Sequence, residues 1–140
     1  MTPDFFVRSK NQVLAAIPAA EWRQIEPHLD WVELPLGAML YEAGVVLQHV
    51  YFPATAIVSL VSSMKDGASA EVAVVGNEGV VGVAAFMGGG RALSSAVVHS
   101  AGQALRITAE SIACCAWQSE SIMQQLLRYT QALFTHMAQT

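Results

Sequence analysis

A chain of 140 residues suits one compact domain, and 54% apolar with only 13% charged residues excludes a disordered tail. Seven Lys and Arg against eleven Asp and Glu give a net charge of −4 with no basic run, so this chain has no face with which to neutralise nucleic-acid phosphates. No apolar stretch approaches the roughly 20 residues of a membrane span, and Met1 to Lys10 lacks the basic start and cleavage site of a secretory signal, so the expected location is the cytoplasm.

The segment from Asn11 to Leu29 carries apolar residues at Val13, Leu14, Ile17, Trp22, Ile25 and Leu29, close to a 3.6-residue period. Pro18 and Pro27 interrupt it, which predicts two short helices rather than one. Neither is long enough to stand alone, so each must dock on a larger body.

From Trp31 to Thr108 short apolar, β-branched runs alternate with punctuation at Gly37, Gly44, Pro53, Gly67, Gly76 and Gly88–Gly90. Seven runs stand out, centred on Val32–Leu34, Met39–Tyr41, His49–Phe52, Ile57–Val61, Glu71–Val75, Ala96–Val98 and Ala104–Ile107. This texture predicts an all-β roll or sandwich. Lys65-Asp66-Gly67 between two of the runs predicts a hairpin, because Asp-Gly accepts the positive φ of a tight turn.

Thr108 is a candidate N-cap, with Glu110 in the first turn of a short helix that extends through Ala116. Ser119 and Glu120 open a second helix, which reaches the last residue without a glycine or proline. That helix bears two apolar stripes, Ile122, Leu126, Tyr129 and Leu133, and Met123, Leu127, Thr130, Phe134 and Met137. A helix on a monomer needs one stripe, so the second implies a partner. The 4-3-4 spacing assigns Ile122, Leu126, Tyr129 and Leu133 to a parallel homodimer seam, which leaves the other stripe for the chain's own barrel.

The order of these elements, together with Leu34-Pro35-Leu36-Gly37, Leu40-Tyr41-Glu42-Ala43-Gly44, His49-Val50-Tyr51-Phe52-Pro53, Asp66 to Gly79 and Leu127 to Leu133, resembles the cyclic-nucleotide-binding domain of Crp/Fnr-type bacterial transcription regulators. The resemblance implies a mainly β fold, an eight-strand β-roll of jelly-roll type with short N-terminal helices and a long C-terminal dimerisation helix. It implies a domain over residues 1–118 and the start of the dimerisation helix over 119–140, with the helix-turn-helix domain absent, so that DNA is reached only through a domain outside this chain. The family's cassette for cyclic AMP begins with Gly-Glu, whose glutamate grips the ribose, and ends with an arginine that takes the cyclic phosphate. Here Gly82 matches the glycine, Val83 stands in place of the glutamate, and Ser94-Ser95-Ala96 in place of Arg-Ser-Ala.

A charge-assisted contact contributes roughly 1.5–3 kcal/mol, so losing two weakens binding by about a hundredfold or more. Cyclic AMP is therefore not the expected ligand. Gly82, Val83, Arg91, Ser94 and Ser95 are the candidate ligand-binding residues of an apolar pocket between Val80 and Ala96, its effector unknown, with Arg91 the one nearby cation. No cofactor is expected. Adjacent Cys114 and Cys115 fit neither a disulfide nor an iron–sulfur cluster, and His28, His49, His99 and His136 are too scattered for a metal or haem site. No nucleophile elbow occurs and Glu71 with Glu78 reads as structural, so the chain is not expected to be an enzyme. Two functions stay open: the effector-sensing and dimerisation part of a regulator, or a stand-alone ligand-binding or protein-interaction module.

Overall fold

The computed structural model describes residues 8–63, 65–87 and 89–139. Gly88 of the glycine run, Met64 beside the Asp-Gly turn, the first seven residues and Thr140 lie outside them.

Two short helices open the described chain. Asn11, fully buried, caps α1 (Gln12–Ala15) by accepting the amides of Val13 at 3.0 Å and Leu14 at 3.2 Å. Its amide nitrogen reaches the other way, donating to the carbonyls of Pro53 at 2.9 Å and Gly79 at 3.0 Å. One side chain thus ties the N-terminal segment to two distant loops. Helix α2 (Ala19–Ile25) starts after Pro18, whose fixed φ suits a helix entry. A 3-10 turn at Glu26–His28 follows, and Trp22 and Ile25 face the core.

All seven apolar runs form strands: β1 (Asp30–Leu34), β2 (Met39–Tyr41), β3 (His49–Pro53), β4 (Ile57–Ser63), β5 (Ser69–Val75), β6 (Ser95–Ser100) and β7 (Gly102–Thr108). They make two antiparallel sheets, ordered β1-β7-β3 and β2-β6-β4-β5. Trp31, Leu105 and Phe52 share one register across the first sheet, and Val97, Ser59 and Val74 across the second. Val50, Phe52, Val58, Val75, Val98, Leu105 and Ile107 belong to one core that both sheets share. The β4–β5 hairpin turns at Gly67, with φ 89°, and Asp66 Oδ1 accepts the Ala68 amide at 3.0 Å. Where the resemblance implies eight strands, seven form among the described residues; the segment before β3 instead makes a short ribbon with residues 90–92 around the Val46–Arg91 bridge. Its glycine-rich surroundings favour a loop ribbon over a regular ladder.

Thr108 caps α3 (Ala109–Gln118) through the Ser111 amide, and Ser119 caps α4 (Glu120–Ala138) through that of Ile122. The assignment of the first α4 stripe to a dimer seam is corrected. Ile122, Leu126 and Leu133 are 0%, 1% and 7% exposed and belong to the core of their own domain, so they do not form a seam with a second copy. Tyr129 packs with them, its phenol against Gly79 and Val80. Of the other stripe, Thr130 is buried and Met123, Phe134 and Met137 pack half-buried on the same core, as expected, while Leu127, 47% exposed, points outward.

Candidate functional site

The stretch between β5 and β6 builds the candidate site. It begins at Gly79, where an added Cβ would lie 2.5 Å from Tyr129 Cζ, so glycine is what lets α4 approach this turn. Burial raises the Tyr129 hydroxyl to about 12 despite a hydrogen bond to the Val80 backbone, so it stays protonated against the turn. Val81 then exchanges two backbone hydrogen bonds with Tyr51 of β3, at 2.8 and 2.9 Å. Gly82 follows with φ 104°, a left-handed conformation that side chains resist, and an added Cβ would meet the His49 carbonyl at 3.1 Å. This turn reverses the chain into a 3-10 helix, Val83–Phe86, which buries Val83, Ala84 and Phe86.

The return path, Gly90 to Ser94, is held by the loop before β3. Gly44 donates to Ala92 O, Ala92 to Val45 O and Leu47 to Gly90 O, each at 2.8 Å. In such an extended ribbon neighbouring side chains face opposite ways. Ala92 faces inward, with Leu47 and Ala84 in a small apolar cluster. Arg91 faces outward, exposed, its Nη1 donating to the Gly44 carbonyl at 3.1 Å.

Between this wall, β2 and α4 lies a cavity of about 20 Å³, room for little more than one water. Gly82, Val83, Ala84, Ala92 and Ser94 line one side, Tyr41 and Leu60 another. Leu133, Phe134 and Met137, from the end of α4, form a third, and the exposed Leu93 lies at its mouth.

Of the five candidate ligand residues, the structure brings Gly82, Val83 and Ser94 together. It does not bring Arg91 or Ser95 to the cavity. The Ser95 hydroxyl accepts the Ala43 amide at 3.0 Å, and Arg91 lies along the loop surface. No lining residue carries a charge. Two hydroxyls remain, those of Ser94, whose residue is 6% exposed, and of Tyr41, whose proton burial holds far above its ordinary range. Sequence reasoning missed Tyr41 and the α4 end, because their share in the site depends on packing between segments about 50 and 40 residues from the cassette. Among the described residues no three His, Cys, Asp or Glu side chains gather as a metal site, and no helix is long and apolar enough to cross a membrane. Cys114 is exposed and Cys115 buried on α3, both free, and burial raises the Cys115 thiol.

A two-sheet roll, a glycine turn into a short 3-10 helix and a long helix beside the cavity define the class of domain. The family model for the cyclic nucleotide-binding domain matches residues 31–115, and the chain belongs to that family. Its fold is similar to the N-terminal domain of a transcriptional regulator from Streptomyces coelicolor A3(2), at 19% identity and TM-score 0.68, covering 92% of this chain and 90% of that one. It is also similar to the regulatory subunit of a cAMP-independent protein kinase A from Trypanosoma brucei, at 17% identity and TM-score 0.78, covering 92% of this chain but 46% of that one. FixK2 from Bradyrhizobium japonicum matches at 15% identity and TM-score 0.69, over 79% of this chain and 55% of FixK2. No curated protein matches this sequence.

Proposed function

We propose that the chain is the effector-sensing part of a Crp/Fnr-type transcription regulator whose effector is not a cyclic nucleotide. The observation that carries this reading is the chemistry of the cavity wall: Val83 and Ser94, which the sequence resemblance aligns with the family's two charged contacts, line it with no charged neighbour, and Arg91 bonds to Gly44 away from it. Burying a cyclic phosphate there would strip its water with no cation in return. The regulator role draws support from the Streptomyces domain, which this chain covers almost end to end. On this reading residues 1–118 are the sensor, residues 119–140 begin the coupling helix, and DNA contact belongs to another domain. The domain is a cytoplasmic bacterial sensor, not an enzyme.

The same reading includes a homodimer, now through the outward edge of α4 at Leu127. Leu127 is the large apolar side chain that the helix leaves most exposed.

Calorimetric titration with cyclic AMP and cyclic GMP tests the proposal. Dissociation constants weaker than about 1 mM agree with it, and micromolar or tighter binding of either nucleotide overturns it. Sedimentation tests the dimer. The unaltered chain should dimerise at tens of micromolar, and Leu127→Asp should release monomers by placing like charges across the seam. A monomeric wild type, or a dimeric Leu127→Asp variant, refutes the α4 interface.

A further inference from the structure

We propose that a groove outside the roll, between the segment that joins β2 to β3 and the outer side of β3, binds a small organic amine by its ammonium group and an attached apolar body. The site goes beyond the sensor reading and does not rest on it, because it shares only Tyr41 with the cavity described above.

The framework of the groove is set by backbone. Its volume is about 350 Å³, within the range that small ligands occupy, where the inner cavity holds about 20 Å³. The ribbon that ties Gly44, Val45 and Leu47 to residues 90–92 through 2.8 Å hydrogen bonds fixes one side. The β3–β7 ladder fixes the other, where His49 and Tyr51 alternate with the fully buried Val50 and Phe52 and so share the opposite face. A ligand therefore has little ordering to impose on this surface.

The lining then sets the class of ligand. Val45 and Val46 are 40% and 51% exposed, apolar surface that their own domain leaves uncovered. Three rings, those of Tyr41, His49 and Tyr51, line the same space, the last two with centroids 6.3 Å apart. Glu42 is the one residue with a charged side chain among the described lining residues. His49 adds no charge at neutral pH, because burial and then Arg106 push its imidazole below the ordinary range, against a smaller upward pull from Asp30. Ring faces attract a cation, and a carboxylate pairs with one. An anion would meet only the repulsion of Glu42, and a neutral molecule would gain nothing from it.

Arg106 is the cation that acts on this corner, and it is directed elsewhere. It stands on β7, outside the lining, opposite Asp30 of β1 and Tyr51 of β3, and it bonds to the Tyr51 side chain. Glu42 is left to set the sign of the groove.

Three ligands of one size test that sign: phenethylamine, a cation; phenethyl alcohol, its neutral counterpart; and phenylacetate, an anion. In NMR titrations of the full chain at neutral pH, phenethylamine should saturate with a dissociation constant on the order of 1 mM, as a ligand of about nine non-hydrogen atoms allows. The methyl signals of Val45 and Val46 and the ring signals of His49 should move with it. The alcohol should bind about threefold to fivefold more weakly, and phenylacetate at least about tenfold more weakly. Glu42→Gln should erase the preference for amine over alcohol. Val46→Lys, a second change at the surface, should weaken amine binding by about tenfold. The proposal is overturned if phenylacetate binds as tightly as the amine, if Glu42→Gln keeps the preference, or if Val46→Lys leaves binding unchanged. Shifts that gather around Ser94 and Leu133 instead of the groove, or no saturation below about 20 mM, overturn it equally.

Discussion

The two halves of α4 meet the barrel in opposite ways. Its N-terminal half lies on the seam where Asn11, Gly79 and Tyr129 converge, and there the buried polar groups are partnered: Asn11 makes four hydrogen bonds and Tyr129 bonds to Val80. Its C-terminal half lies over a cavity lined mostly by apolar side chains, with the Ser94 and Tyr41 hydroxyls among them. A satisfied polar seam fixes one geometry, because every alternative leaves a buried group unpaired. Apolar side chains over a small cavity fix much less, since they exchange one nonpolar neighbour for another. The helix is thus fixed by polar contacts in its first half and by apolar packing in its second.

Breaking the anchored end should have the largest effect. Asn11→Ala removes an N-cap and strands the Pro53 and Gly79 carbonyls, which costs about 3 kcal/mol of unfolding free energy in urea titrations. A loss under about 0.5 kcal/mol would show that the seam is not an anchor.

Gly79→Ala comes next. Its methyl group would require the space of the Tyr129 ring, so α4 must shift, at a cost of about 2 kcal/mol. Pairing it with Tyr129→Ala should recover part of that loss, because the smaller side chain removes the clash. Strict additivity of the two would contradict the packing described here.

The effect of pH is smaller and has a defined sign. Tyr129 ionises near 10 when unfolded and at about 12 when folded. Below pH 10 both states keep the proton and its stabilisation is complete; between pH 10 and 12 the unfolded chain ionises first and the stabilisation is lost. Tyr129→Phe should flatten that fall by an amount on the order of 1–2 kcal/mol, measured as the difference between the two stability curves. Parallel curves for the two proteins would contradict the assignment.

At the other end, Ser94→Ala should change stability by less than about 0.5 kcal/mol, because removing one hydroxyl from a wall of mostly apolar side chains opens little space. A loss above about 1 kcal/mol in the same urea titration would mean that the cavity wall is held as firmly as the seam.

The same contrast explains what the sequence disclosed. The seven strands were legible because β-branched runs and glycine punctuation are local signals, and Thr108 and Ser119 marked their helices because capping chemistry acts within three residues. That Gly82, Val83 and Ser94 line one cavity was legible from their place between two late strands. The orientation of α4 was not, since two stripes of equal apolar character say that both are covered without saying by what. The outward turn of Arg91 is hidden for a related reason: the direction it faces is set by a ribbon with residues 44–47, far away in the chain. Asn11 reads locally as part of a helical segment, while its long-range bonds to Pro53 and Gly79 depend on the closed roll.

Native-state hydrogen exchange along α4 tests the central claim most directly. The account predicts that the amides of Ile122 to Thr130 exchange only through global unfolding, while those of Leu133 to Ala138 exchange at least about a hundredfold faster through local opening. Equal protection along the whole helix, or faster exchange at its N-terminal half, would contradict it.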